Sequence, residues 1–229
     1  MKTIIHDSDE ACRLAAESIK QLISARPDAV IAVSAEHALH GLWDALVKMN
    51  VHGELCLADT HFFLLAEFSG SDICRNEIKR SFLDRTDAKE GNCFFLSDEN
   101  ASDCEERIAA LGGLDMAILS LGSNGRIGFN EPATPYESLT HIQRLAPATR
   151  RELAECFHGE ENVPAFGITL GIKTITSAKN ILVAAFGAQQ AKPVFNMLYG
   201  RNDSVVPAAF LQIPMNVAVY LDREAAQKL

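Results

Sequence analysis

Three short stretches of this sequence bring together side chains that can move protons or hold anions. Asp59 and His61 stand two residues apart, so in an extended segment both face one side and could act as an acid–base pair. His37 follows the apolar run Ala29–Ser34; with Asp59, His61 and Glu131 it could join a new acid–base group or even a metal site. Such a set lacks tight ligand spacing, so no metal is expected. The third stretch, Gly122-Ser123-Asn124-Gly125-Arg126, places an amide and a guanidinium in a glycine-bounded turn. Each has an ordinary reading too. Asp59 could cap a helix, the histidines could lie on the surface, and Glu131 could simply neutralise Arg126.

These stretches need strand ends to present them, and the pattern supplies strands. Apolar runs predict strands over Ala29–Ser34, Glu54–Asp59, Asn92–Leu96, Met116–Leu121, Ile181–Phe186 and Val217–Leu221. Between them lie helical patterns: Asp7–Arg26, with Asp7 or Ser8 as cap, then Leu39–Val47, Ile73–Leu83, Cys104–Leu111, Thr149–Phe157 and a stretch through Phe195 and Leu198. Such alternation predicts an α/β, single-domain, Rossmann-like fold over residues 1–229, with a mostly parallel sheet and helices on both faces. Ligands of open α/β sheets collect at the carboxyl ends of the strands. That rule singles out the turn after Ser34, the Asp59-Thr60-His61 segment and the Gly122–Arg126 turn.

Composition narrows the class of function. With 21 Lys+Arg against 30 Asp+Glu the net charge is −9, which speaks against a nucleic-acid or anionic-membrane partner. The six cysteines form no C-x-x-C pair, and several sit in apolar runs, so packed reduced thiols are expected. No run approaches the roughly 18 apolar residues of a membrane span. A cytoplasmic protein is the expectation.

The run Leu119-Ser120-Leu121-Gly122-Ser123-Asn124-Gly125-Arg126-Ile127-Gly128-Phe129-Asn130-Glu131-Pro132 resembles the L-G-x-G-x-D-G-H-I-[AG]-F-N-E-P signature of the glucosamine-6-phosphate deaminase family. Leu139-Thr140-His141, Leu145 and Thr149-Arg150 resemble its T-H-x-x-x-L-x-x-x-T-R, Gly167–Ile172 its A-L-T-M-G-I, and Pro207–Gln212 its P-A-S-x-L-Q. Ala58-Asp59 is laid on its N-M-D-E-Y. The F-N-E-P ending favours the deaminase/isomerase branch over the related 6-phosphogluconolactonases.

The resemblance implies the glucosamine-6-phosphate deaminase/6-phosphogluconolactonase-like fold, a small-molecule sugar phosphate as partner, no cofactor, and an aldose–ketose isomerase/deaminase reaction on glucosamine- or galactosamine-6-phosphate. A homo-oligomer is left open. On this reading Asp59 shuttles the proton between carbons 1 and 2, and Glu131 orients the ring-opening group. Asp-Gly-His reads Asn124-Gly125-Arg126, and a guanidinium cannot exchange protons near neutrality. Ring opening is therefore altered, and His61 is a candidate catalytic residue through the acid–base group with Asp59 and His37. The glycine-rich phosphate loop reads Ser34-Ala35-Glu36-His37-Ala38-Leu39 and holds no glycine. Two basic phosphate ligands fall on Glu155 and Gln190, for which Lys192, Arg150, Arg151 and Lys173 could substitute. The implied catalytic set is Asp59, Glu131, His61, Asn124 and Arg126; the binding set is Ser34, Ala35, His37, Gly122, Gly125 and Lys192. A non-catalytic sugar-binding or regulatory paralogue is the alternative, and lactone hydrolysis comes last because neither Asn124 nor Arg126 supplies its base.

Overall fold

A computed structural model describes all residues, 1–229. The chain opens with β1 (Lys2–His6) and α1 (Ser8–Ala25), which Asp7 caps by accepting from Glu10 N at 3.0 Å. There follow β2 (Val30–Val33), α2 (His40–Val51), β3 (His61–Leu64), β4 (Ala66–Phe68), α3 (Ile73–Ser81), β5 (Cys93–Phe94), α4 (Cys104–Ala110) and β6 (Met116–Leu119). The second half adds β7 (His141–Arg144), α5 (Pro147–Leu153), β8 (Phe166–Thr169), α6 (Ile172–Thr176), β9 (Asn180–Ala185), α7 (Ala191–Tyr199) and β10 (Val217–Asp222).

Seven strands form a parallel sheet in the order β1-β10-β9-β6-β2-β3-β5. The period-two rule explains its core. Val30 and Ala32 point into one apolar cluster with α4, α6 and α7, while Ile31 and Val33 point into the other with α1, α2 and α3. Both faces are therefore covered, as a parallel sheet requires. β4, β8 and β7 make a second, antiparallel sheet of three strands, none of which the apolar runs predict.

One predicted strand is displaced. Glu54–Asp59 is not a strand; Leu55 and Leu57 are buried from a turn-rich segment. The strand is the run after it, His61–Leu64, which pairs with β2 from Val30↔His61 to Val33↔Leu64. The alternation of Leu55 and Leu57 imitates a strand, but the continuous run Phe62–Leu65 is what can bury on both faces.

Candidate active site

From β2 the chain winds outward through β3 to β5; from β6 it runs the other way, through β9. The order thus reverses between β2 and β6, and a crevice opens beyond their carboxyl ends. Glu36 leaves β2 on one side of it. The turn Ser120–Arg126 leaves β6 on the other.

Arg126 occupies this crevice and is only 2 % exposed. Its Nη1 donates to Glu36 Oε1 at 3.0 Å and to Gly128 O at 2.8 Å, and its Nη2 reaches Glu152 Oε1 at 3.4 Å. Glu36 also accepts from Ser120 Oγ, and Glu152 accepts from Ser123 Oγ at 2.7 Å. Burial works against the charge on Arg126, but Glu36 and Glu152 outweigh it and raise its pKa above the ordinary arginine value. Arg126 is therefore a fixed cation, not a proton carrier. It is paired by Glu36 and Glu152 rather than by Glu131.

Glu131, 3 % exposed, accepts from Asn124 Nδ2 at 2.8 Å and from Ala146 N at 3.0 Å. Asn124 closes the turn by accepting from Arg126 N at 3.1 Å. Two glycines make the turn possible. Gly125 adopts φ +81°, and a Cβ at Gly122 would lie 2.6 Å from Arg126 Nε, so the guanidinium can lie against the loop only where a side chain is missing. Asn130 locks the far end, donating to Ile127 O at 2.9 Å and to Leu170 O at 2.8 Å.

The structure separates the other expected residues. Asp59 lies before β3, at the opposite end of the sheet, where its side chain is 67 % exposed and meets Lys89 Nζ at 3.0 Å. His61 starts β3 at that same end. Three residues of strand, roughly 10 Å, divide it from the crevice. Neither can join His37 or Glu131, so the acid–base group of Asp59, His61 and His37 does not form, and no group of three metal-ligating side chains is present. Among the expected binding residues, Ser34 is buried at the end of β2 and Ala35 is half-buried beside it. His37 is exposed and packs its ring on His40, 4.0 Å between centroids. Lys192 is exposed on α7 and makes no ion pair; its neighbour Gln190 reaches the crevice turn instead, donating to Leu121 O at 3.1 Å.

With β3 correctly placed, the segment at its carboxyl end, where a catalytic carboxylate belongs, is Leu64-Leu65-Ala66-Glu67-Phe68. Laid there rather than on Ala58-Asp59, the N-M-D-E-Y of the resemblance puts alanine at the position it gives to the proton-shuttling acid. Glu67 does not replace it. It is fully buried and accepts from Phe68 N, Cys74 N and Arg75 N at 2.8, 3.0 and 2.8 Å, tying β4 to the start of α3. Burial is the main cause of its raised pKa, against those three hydrogen bonds. Glu36, Ser120 and Glu152 were absent from the expected site; the spacing of Glu36 after an apolar strand was the available signal.

Comparison with known proteins gives a consistent picture. The family model described as glucosamine-6-phosphate isomerases/6-phosphogluconolactonase matches residues 6–219. A glucosamine-6-phosphate deaminase of Colwellia psychrerythraea is 33% identical over 242 residues, spanning 100% of this chain and 90% of that protein. One from Bacillus velezensis is 34% identical over 231 residues, spanning 96% and 94%. Among solved structures, a monomeric glucosamine-6-phosphate deaminase superposes with TM-score 0.94 at 29% identity, covering all of both chains. The 6-phosphogluconolactonase of Trypanosoma brucei shares the fold, with TM-score 0.77 at 18% identity.

Proposed function

Because the chain belongs to the glucosamine-6-phosphate isomerase/6-phosphogluconolactonase family, we propose that it serves amino-sugar metabolism as a hexosamine-6-phosphate isomerase/deaminase with rebuilt ring-opening and phosphate sites. The observation that carries this reading is the Asn124–Glu131 pair at 2.8 Å beside the switch-point crevice, on a turn locked by Asn130. In such a reaction the open-chain amino aldose loses the proton on carbon 2 to a base and receives it on carbon 1. Water then hydrolyses the resulting imine, giving a ketose phosphate and ammonia. With Ala66 and Asn124 unable to titrate and Arg126 fixed as a cation, the carboxylates left to carry that proton are Glu131, Glu36 and Glu152.

A specific observation favours a second reading, a non-catalytic sugar-binding or regulatory paralogue. The guanidinium of Arg126 and the carboxylate of Glu36 meet where the sugar would lie, and Ala66 leaves that side of the crevice without an acid. One experiment separates the two readings. The protein is incubated with glucosamine- and galactosamine-6-phosphate in deuterated water, following label at carbon 2, ammonia and melting temperature. Catalysis gives exchange that Glu131→Gln abolishes. A binding paralogue gives, without exchange, a melting shift that Glu36→Gln in the crevice changes. Neither exchange nor shift with either epimer overturns both. The triple variant Ala66→Asp, Asn124→Asp, Arg126→His restores three proton carriers and is expected to raise exchange about 100-fold or more, the usual yield of positioned acid–base groups.

A further inference from the structure

Arg13, Arg26, Arg75, Arg80 and Arg85 each meet a carboxylate, as Arg126 does in the crevice. Arg107, Arg144, Arg150, Arg151, Arg201 and Arg223 do not, and two of these, Arg144 and Arg150, stand together. They face a cavity of about 260 Å³ whose remaining walls are Leu145, Ala146, Pro147 and Ala165. No acid lines it.

We propose that this cavity is a binding site for the phosphate group of a small metabolite, separate from the strand-end crevice. Three features support it. Arg150 is held in place: its Nη2 donates to Glu160 O at 2.8 Å. Its Nε is buried without any acceptor, a cost that an incoming oxyanion would relieve. The lining also includes Arg144, exposed and free of any side-chain hydrogen bond or ion pair, so it can close on a ligand. Two guanidinium groups match a phosphate monoester, which carries a charge of roughly −1.5 to −2 at neutrality, better than a single carboxylate. The apolar walls strengthen the attraction by keeping water away. The site also adjoins the crevice through the backbone: Ala146 lines the cavity while its N–H donates to Glu131 Oε1.

The test titrates the full chain with inorganic phosphate, following melting temperature and binding heat, with sodium chloride and sodium acetate at matched ionic strength. A saturable rise in melting temperature is expected with phosphate alone, growing with the ratio of ligand to dissociation constant. Arg144→Gln should weaken phosphate binding at least about 10-fold without lowering the melting temperature of the free protein, since its side chain has no partner to lose. Arg150→Lys should weaken it too by removing the fork. Glu36→Gln, in the crevice, should leave phosphate affinity unchanged. An absent or unsaturable response overturns the proposal, as do an equal response to acetate, unchanged affinity in Arg144→Gln, or a response governed by Glu36→Gln. The exchange assay on amino-sugar phosphates reads the crevice, so failure here leaves that result standing, and the reverse.

Discussion

The two ends of the central sheet carry mirror-image charge clusters. At the amino end of β6, Asp115 is a buried anion, 2 % exposed, that accepts from Arg26 at 2.6 Å, Lys179 at 2.8 Å and Val30 N at 2.9 Å. Arg26 precedes β2 and Lys179 precedes β9, so this carboxylate ties the starts of three neighbouring strands. At the carboxyl end, Arg126 is a buried cation between Glu36 and Glu152. Both oxygens of Asp115 are satisfied, but the Nε of Arg126 has no acceptor. The contrast separates a structural cluster from an altered functional one. The amino-end cluster is complete in hydrogen bonds, whereas the carboxyl-end cluster is a charge fitted into a crevice that the fold keeps for ligands.

Removing the partners at each end should expose that difference most strongly. Glu36→Ala with Glu152→Ala leaves Arg126 buried and uncompensated, and should cost about 3–5 kcal/mol in urea unfolding. Adding Arg126→Met should recover most of the loss, because the stranded charge is then gone. Asp115→Ala should cost less, about 1–3 kcal/mol, since Arg26 and Lys179 are 33 % and 54 % exposed and can turn to water, leaving chiefly the Val30 N–H unmet. An equal loss at the two ends would remove the distinction between them.

Gly122 sharpens the account of how Arg126 came to fit. A methyl group there would press on the Arg126 side chain, 2.6 Å from Nε, so Gly122→Ala should destabilise by about 1–3 kcal/mol through overpacking. In an Arg126→Ala background the same change should cost little. A double-mutant cycle therefore reports coupling above about 1 kcal/mol. If the two changes simply add, the glycine serves the backbone and not the guanidinium.

Much of this architecture was legible in the sequence. The runs at Val30–Val33, Met116–Leu119 and Asn180–Ala185 are continuous because both sheet faces are covered, and Asp7 announces α1 by its capping chemistry. The turn Gly122–Arg126 was recognisable from its glycines and its amide. Two things were hidden. A register error in an apolar stretch moves a site from one end of a parallel sheet to the other, and Leu55 and Leu57 alternate well enough to cause it. In the observed register the resemblance gives the shuttle position to Ala66, and an alanine carries no chemistry to be noticed. The pairing of Arg126 with Glu36 across 90 residues depends on the strand order, which apolar periodicity does not encode.

Asp59 supplies the smallest expected effect and the sharpest check on that register. It is an acid beside a strand of the right family, so its sequence context alone makes it a candidate for the proton shuttle. Its place in the fold makes it a surface partner of Lys89, both side chains more than 60 % exposed. An exposed pair of this kind contributes from nothing to about 1 kcal/mol, and solvent screens it further. Asp59→Asn should therefore shift stability by less than about 0.5 kcal/mol and leave carbon-2 exchange and ligand-induced melting shifts as in the parent chain. A loss of exchange in this variant would put Asp59 at the crevice, and with it β3 in the wrong register against β2. The ladder from Val30↔His61 to Val33↔Leu64 forbids this, because sliding β3 to bring Asp59 to the strand end would pull Phe62 and Leu64 out of the buried face they share with Trp43 and Phe82.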